Sequence, residues 1–465
     1  MSSPVVDAAK ADTGPIPRIR RVRESARMRN VELGLLGIAF GLSSLALGLV
    51  QLATMGALHA GIFAMCSIIG LLALLVHVCL RYVAPSADAL IMPIAVMLNG
   101  LGIAEIYRID IAEGNVGWDS LAIRQIAWTA LALAAAVVVI LMVKSPRSLQ
   151  RYTYTAGLVA VILLLLPMVP GLGVEVNGAR VWIQVAGLTF QPGEIAKIAL
   201  GIFFAGYLVQ HRDSLSMVGT RFANLRFPRG RDLGPILAVW VLSMLVIVFQ
   251  RDLGTGLLYF GLFLVMLYVA TGRLSWVLMG LGLFAAGALA ANQFLSYVRG
   301  RFENWYDAFN PAVYNADGGS YQLVQGLFGM GHGGLIGTGL GQGMPYITPV
   351  AQSDYIIASL AEELGLIGLF AILCLFVLLG SRGARIGFAA TDDFSKLLSI
   401  GLAFVIAWQT FLVIGGVTRI IPLTGLTTPF MAAGGSSLVA NWMIVAILLR
   451  LSDGQSRVPR LVVES

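Results

Sequence analysis

Apolar runs of about 20 residues, the length that crosses a bilayer core as a helix, recur from residue 33 almost to the C-terminus. On a window of ~19 residues they predict spans near 33–53, 58–80, 89–107, 125–143, 153–173 and 192–210, then near 233–250, 253–271, 275–297, 354–380, 394–417 and 430–450. Polar positions are confined to short connections, except for one long hydrophilic stretch, residues 298–353. The pattern predicts an all-α polytopic membrane protein whose twelve spans leave both termini on one side.

Composition agrees. Of 465 residues, 58% are hydrophobic and 12% charged, with a mean hydropathy of +0.84. An ordinary soluble domain is ~25% charged, so a soluble globular protein is excluded. Lys and Arg accumulate in cytoplasmic loops. Most of the 31 precede the first span, from Lys10 through Arg18, Arg20, Arg21, Arg23 and Arg27 to Arg29, or fall in alternate connections. Lys144, Arg147 and Arg151 form one such group, and Arg212, Arg221, Arg226, Arg229 and Arg231 another. Both termini are thus expected in the cytoplasm and residues 298–353 outside. The net charge of +7 reflects this topology, and no nucleic-acid partner is expected. Residues 1–30 lack an apolar segment ahead of the basic cluster, so no cleavable signal peptide is read. They are expected to form a disordered basic tail attracted to anionic membrane lipids.

Several familiar chemistries are absent. Cys66, Cys79 and Cys374 lie within apolar runs and suggest neither disulfides nor a metal site. His211 and His332 read as polar surface. Half of the residues from Gly326 to Gly343 are glycine, and Gly329, Gly331 and Gly334 formally match G-x-G-x-x-G. A dinucleotide site needs a strand before that motif and a helix after it, so the stretch reads instead as an external loop making close turns over a cavity. No G-x-x-x-x-G-K-[ST] occurs, which argues against an ATP-driven pump.

Ionisable side chains inside spans are costly and mark candidates for function. Glu194 and Lys197, at i and i+3, share a helix face; they form either a self-satisfied ion pair or a cation held to meet an anionic substrate. Asp252, in the short turn Gln250-Arg251-Asp252-Leu253-Gly254-Thr255, is a helix cap or a site residue. Asp354 stands at the outer start of a span, and Glu362 and Glu363 follow ~12 Å deeper at 1.5 Å per residue. Arg419, beside Pro422, has the bidentate geometry that suits phosphate. Gly434-Gly435-Ser436-Ser437 permits close helix packing.

These segments, in order, resemble the SEDS family (shape, elongation, division and sporulation), whose RodA and FtsW members are peptidoglycan polymerases. The resemblance runs from about residue 89 to 450. It rests on Asn177-Gly178-Ala179-Arg180 with Trp182; Gln191-Pro192 with Glu194 and Lys197; Asp252-Leu253-Gly254-Thr255; Tyr321-Gln322; Ser353-Asp354-Tyr355-Ile356-Ile357 leading to Glu362-Glu363-Leu364-Gly365; and Pro422-Leu423-Thr424-Gly425 with Gly434-Gly435-Ser436-Ser437. Departures are Arg251 for the usual Pro, Gly193 for Ser, and Ala432-Ala433 for Ser-Tyr. The family core has ten spans, so 31–84 reads as two accessory helices, as in actinobacterial RodA-like members. The core is then 85–452, followed by a short cytoplasmic tail, 453–465. That tail and Gly415-Gly416-Val417-Thr418-Arg419 favour a RodA-like over a division-specific FtsW-like member.

The resemblance implies glycosyl transfer at the outer face of the bacterial cytoplasmic membrane. Lipid II is joined into β-1,4 glycan strands and undecaprenyl diphosphate is released. It implies Asp354 as the general base, and Arg124, Arg180, Glu194, Lys197, Asp252, Glu362, Glu363 and Arg419 as the substrate-binding set. Within that set Arg124, Lys197 and Arg419 would hold diphosphate, with Glu194 orienting Lys197. Asp252 would shape the cavity or hold a divalent cation, Mg²⁺ or Mn²⁺, no other cofactor being expected. A class B penicillin-binding protein, a transpeptidase, is the implied partner. Two rivals use the same features: a flippase for lipid-linked precursors, which should show internal repeats not evident here, and a scaffold that only recruits the transpeptidase.

Overall fold

The computed structural model of the chain describes residues 17–176, 178–185, 188–216, 221–222, 225–226 and 233–456. A backbone in hydrocarbon must satisfy its own hydrogen bonds, and each expected span falls on a helix. In chain order the helices are α1 (Pro17–Met55), α2 (Ala60–Val83), α3 (Ile91–Glu113), α4 (Leu121–Met142), α5 (Thr153–Leu165), α6 (Pro192–Ser216), α7 (Gly234–Leu245), α8 (Leu253–Thr271) and α9 (Leu274–Phe294). Three shorter ones follow, α10 (Ser296–Tyr306), α11 (Pro311–Tyr314) and α12 (Tyr321–Gly333), before α13 (Ile356–Ala389), α14 (Asp393–Val417) and α15 (Gly435–Ser456).

Among the described residues, 10 helices are long and apolar enough to cross a membrane. The other two expected spans are α3, which carries Glu105, Arg108 and Asp110, and α7, which a π-helical turn continues from Val246 to Gln250. Helices α6, α8, α14 and α15 occupy the centre of the bundle. Side chains such as Ile38, Leu45, Leu71 and Leu158 on the outer helices are exposed, as a lipid-facing surface requires.

Four features refine or correct the expectations. First, the all-α architecture holds with one addition: the span expected to reach residue 173 ends with a short 3-10 turn at Met168, and a three-stranded antiparallel sheet follows. Its strands are β1 (Gly173–Val176), β2 (Ala179–Val185) and β3 (Leu188–Phe190). Val176 pairs with Ala179 across a tight turn in which Gly178 has φ +78°, a conformation glycine adopts without cost. Second, the stretch 298–353, whose conformation the sequence leaves open, contains most of α10 and all of α11 and α12.

Third, the first half of the glycine-rich stretch is helical. Gly326, Gly329 and Gly333 lie along the face of α12 that meets α13. A Cβ there would stand 2.7 Å from the Tyr355 ring, 3.2 Å from the Glu362 carboxylate and 2.5 Å from the Ala361 carbonyl. Glycine serves here to let two helices touch. Fourth, α1 begins at Pro17, within the stretch expected to be a disordered tail. Residues 1–16, Asn177, Arg229, Arg231 and the end of the C-terminal tail, 457–465, lie outside the described residues.

Helix α13 breaks at Gly365, where φ is 69° and ψ −175°. The break frees backbone groups, and the segment after α12 supplies their partners. Thr338 and Gly339 donate to the carbonyls of Glu362 and Glu363 at 3.0 and 2.9 Å, while Leu366 and Ile367 donate to those of Gly334 and Leu335 at 2.9 and 3.1 Å. The half-helix 356–364 is therefore held by the glycine loop, and Asp354 stands two residues before it.

Candidate active site

At the end of the bundle that bears the β-hairpin there is a cavity of about 460 Å³. Its wall is assembled from the hairpin (Val181 and Trp182), the start of α6 (Gln191 and Glu194), the turn before α8 (Arg251 and Asp252), Arg301 of α10, the approach to α13 (Gln352 to Asp354) and the segment Leu423 to Thr427. Three carboxylates thus meet one cavity although they are far apart in sequence.

Local chemistry explains each position. Pro192 opens α6, where its missing N–H costs nothing, and Glu194 follows in the first turn. Lys197, one turn deeper and 1% exposed, donates to Glu194 at 2.6 Å, Gln409 at 3.0 Å and Asn441 at 3.1 Å. An ammonium has three donors, and all are used in tying α6 to α14 and α15. Asp252 caps α8, accepting from the Thr255 amide at 2.9 Å and from its hydroxyl. Burial pushes its carboxyl upward, against the pull of Thr255 and Arg301. Arg251 before it has φ 55°, an uncommon conformation for a residue with a Cβ, and faces the cavity.

Asp354 has no side-chain ion pair among the described residues. Burial pushes its carboxyl up to about 6, with the backbone amides at Asp354 and Tyr355 and the Arg301 charge opposing. Arg301 donates to the Leu423 carbonyl at 2.8 Å and takes part in no ion pair among the described residues, leaving guanidinium capacity for an anion. Two buried acceptors in the wall, Gln352 Oε1 and Thr427 Oγ1, also lack protein partners there.

Other expected site residues lie elsewhere. Arg419, φ 60°, donates to the carbonyls of Trp305 at 2.7 Å and Tyr306 at 2.8 Å and lies 5.2 Å from the Phe309 ring centroid. It fastens the end of α10, the helix that carries Arg301, and does not line the cavity. Arg124 lies one turn along α4 from Leu121, a wall residue, and reaches the Asp119 carbonyl at 3.3 Å. Arg180 projects from β2 and pairs with Glu175 at 2.9 Å, both exposed.

Glu362 and Glu363 form a separate buried cluster with the glycine loop. Glu362 accepts from the Met344 amide at 3.1 Å and meets His332 Nδ1 at 3.1 Å. Glu363 accepts from the Gly341 amide at 2.8 Å and from Arg108 Nε at 3.2 Å, and Arg108 also donates to the Gly343 carbonyl at 2.7 Å. Glu105, fully buried nearby, has no hydrogen-bond partner among the described residues. Sequence reading passed over Arg301, Arg108, Glu105, Gln352 and Thr427. Only Gln352, two residues before Asp354, carried a local signal. No group of three or more His, Cys, Asp or Glu placed to hold a metal ion occurs among the described residues.

A second space, about 440 Å³, lies back to back with the cavity and is almost wholly apolar. Leu253, Phe302 and Pro422 line it, each next in sequence to a cavity residue: Asp252, Arg301 and Leu423. Phe260, Leu264, Phe284 and Trp408 extend it along the bundle.

Known proteins share this sequence and architecture. The FtsW/RodA/SpoVE cell cycle protein family matches residues 88–457. A protein of Mycobacterium tuberculosis named peptidoglycan glycosyltransferase RodA is 46% identical over 384 residues, 82% of this chain and 81% of its own. The Mycobacterium leprae protein of the same name is 44% identical over 437 residues, 91% of this chain and 90% of its own. The fold matches a crystal structure of the Thermus thermophilus rod shape determining protein RodA, with a TM-score of 0.56 and 24% identity over 80% of this chain and 98% of that one. It also matches, at a TM-score of 0.55 and 24% identity over 84% of this chain and 98% of that one, a chain whose structure is described as coordinating polymerization and crosslinking in a peptidoglycan synthase complex.

Proposed function

The chain belongs to the FtsW/RodA/SpoVE family of cell cycle proteins and is a multi-pass bacterial membrane peptidoglycan glycosyltransferase; from that premise we propose that the hairpin-end cavity joins lipid II into β-1,4 glycan. The acceptor sugar presents its 4-hydroxyl to Asp354. The carboxylate takes that proton as the oxygen bonds to the donor's anomeric carbon and the bond from that carbon to the diphosphate breaks, releasing undecaprenyl diphosphate. A base works best with a pKa near the operating pH, which burial of Asp354 supplies.

The leaving diphosphate needs a cation with capacity to spare. Arg301 meets that need better than Lys197, whose donors are all engaged, or Arg419, which does not line the cavity. Arg124 and Arg180 are exposed cations toward the rim, suited to drawing the headgroup inward. Gln352 and Thr427 accept hydrogen bonds from sugar hydroxyls. The adjoining apolar groove suits a polyprenyl chain, so that one substrate lies with its charge in the first space and its tail in the second. Mg²⁺ or Mn²⁺ takes oxygen ligands and binds through one or two carboxylates together with substrate phosphates. Asp252 with the diphosphate would meet that description, and the ion would neutralise the leaving group.

The orientation follows the charge count: termini in the cytoplasm, cavity outside. The names of the relatives favour rod-shape elongation over division. Crosslinking is the business of a transpeptidase, and the synthase-complex neighbour supports a class B penicillin-binding protein as partner.

The observation that carries the reading is that, among the described residues, a half-buried Asp354 without an ion pair and Arg301, held by a single carbonyl, line one cavity. Loss of an oriented general base costs about 10²- to 10⁴-fold. Purified Asp354→Asn, folded and partner-bound, is expected to lose polymerisation by that factor on a gel resolving glycan length. Polymerisation at the wild-type rate overturns the assignment; product from neither protein, with lipid II still crossing proteoliposome membranes, favours a flippase.

A further inference from the structure

The N-terminal pair α1–α2 lies ahead of residue 88, where the family match begins. It is fixed to the rest of the bundle at both ends. At the end away from the cavity, Arg29 of α1 pairs with Glu32 and donates to the Ala87 carbonyl, and His77 of α2 meets Glu32 at 2.7 Å. At the cavity end, the last turns of α1 lie against the glycine loop. A Cβ on Gly341 would stand 2.7 Å from the Ala53 methyl and 3.2 Å from the Val50 carbonyl. Gln51, 2% exposed, donates to the Tyr107 hydroxyl at 3.2 Å and accepts from the His59 amide at 2.9 Å. Tyr107 adjoins Arg108, which holds both Gly343 and Glu363.

Gly341 is the point where these contacts converge. Its φ of +83° suits glycine alone, and the N–H of this same residue donates to Glu363 at 2.8 Å. Glu363 belongs to the half-helix 356–364, whose start lies two residues from Asp354. A displacement of α1 at Ala53 therefore passes through Gly341 to Glu363 and along two rigid turns to the catalytic carboxylate. We infer that α1 is a positioning element for Asp354, acting through the contact of Val50 and Ala53 with Gly341. The inference rests on the assignment of Asp354 as base.

A misplacement of about 1 Å can cost 10²-fold in rate. The test uses the full chain with its transpeptidase partner, comparing Ala53→Phe, whose larger side chain crowds Gly341, with Leu45→Phe, about two turns away on the exposed surface of the same helix. Ala53→Phe is expected to lower kcat for lipid II polymerisation about tenfold or more at unchanged KM, while Leu45→Phe keeps the wild-type rate. Wild-type kcat in folded Ala53→Phe overturns the inference, as does a loss confined to the thermal midpoint. Should Ala53→Phe fail to fold, Gln51→Ala, which severs the link to Tyr107, is expected to lower kcat about threefold at unchanged KM, and wild-type kcat there overturns it equally. Absence of glycan from the wild-type chain overturns the polymerase reading itself; glycan from the wild type with unaffected variants overturns this inference alone.

Discussion

Both ends of the bundle bury charge, and they treat it in opposite ways. At the end away from the hairpin, Arg450 donates to the carbonyls of Val143, Val83 and Lys144 at 2.7, 3.0 and 2.8 Å and pairs with Asp453 at 3.5 Å. Arg382 holds Asp88 at 2.8 Å through Nε, and Arg29 holds Glu32. These cations fasten loops to helices. At the hairpin end, Arg301 has one carbonyl partner, Asp354 has no side-chain partner, and two wall acceptors are unpaired among the described residues. A buried charge that is fully partnered stabilises geometry, whereas one left short of partners beside a cavity awaits a ligand.

The sharpest way to break this contrast is to remove one cation from each end. Removing one partner of a buried ion pair costs about 3–5 kcal/mol, so Arg450→Gln is expected to lower the folded yield and thermal midpoint while the protein that does fold keeps its specific activity. Arg301→Gln should do the reverse, losing polymerisation about 10²-fold with little change in midpoint. Matched losses of both properties in the two variants erase the distinction.

Lys197 tests the boundary between the two classes, since its partner Glu194 lines the cavity while its own donors are all engaged. Lys197→Met should lower stability by about 3 kcal/mol, read as a lower thermal midpoint, with activity falling in step with folded protein. Activity lost well beyond that would return Lys197 to the diphosphate site. Asp354→Asn should raise stability at neutral pH by about 1–3 kcal/mol, read as a higher thermal midpoint, while cutting the reaction by about 10²- to 10⁴-fold. The folded-state pKa is raised, so the ionised carboxyl opposes folding above the unfolded pKa, and this penalty fades as pH falls through about 6. Differential scanning of both proteins at pH 5 and pH 8 checks the sign. The smallest effect belongs to Gln352→Ala, where one lost hydrogen bond of about 1 kcal/mol raises KM for lipid II roughly fivefold.

Hydropathy alone was enough to find the helices, because lipid imposes one length and one composition on every span. It overran at residues 169–173, which read as the end of a span, and it passed over the hairpin that follows, although Asn177-Gly178 is a turn signal. Glu194, Asp252 and Asp354 stood out because charge is rare in apolar runs, and the fold gathers these three in one cavity. Arg301 did not stand out, since a single arginine in a long polar connection is ordinary until α10 turns it toward Asp354. Glu362 and Glu363 stood out for the right reason, their depth in an apolar helix, but their partners are Arg108 and the backbone of a glycine loop. A carboxylate's rarity marks it as used without telling whether a ligand or the chain uses it.

The central claim is that a carboxyl raised by burial acts as base in this cavity, and the pH dependence of lipid II polymerisation tests it most directly. Protonation disables a base, so the wild-type rate should climb with pH through an apparent pKa of about 6 and level off above it. Residual activity of Asp354→Asn should lack that limb. A wild-type rate that is flat between pH 5 and pH 8, or a limb that survives in Asp354→Asn, contradicts the account.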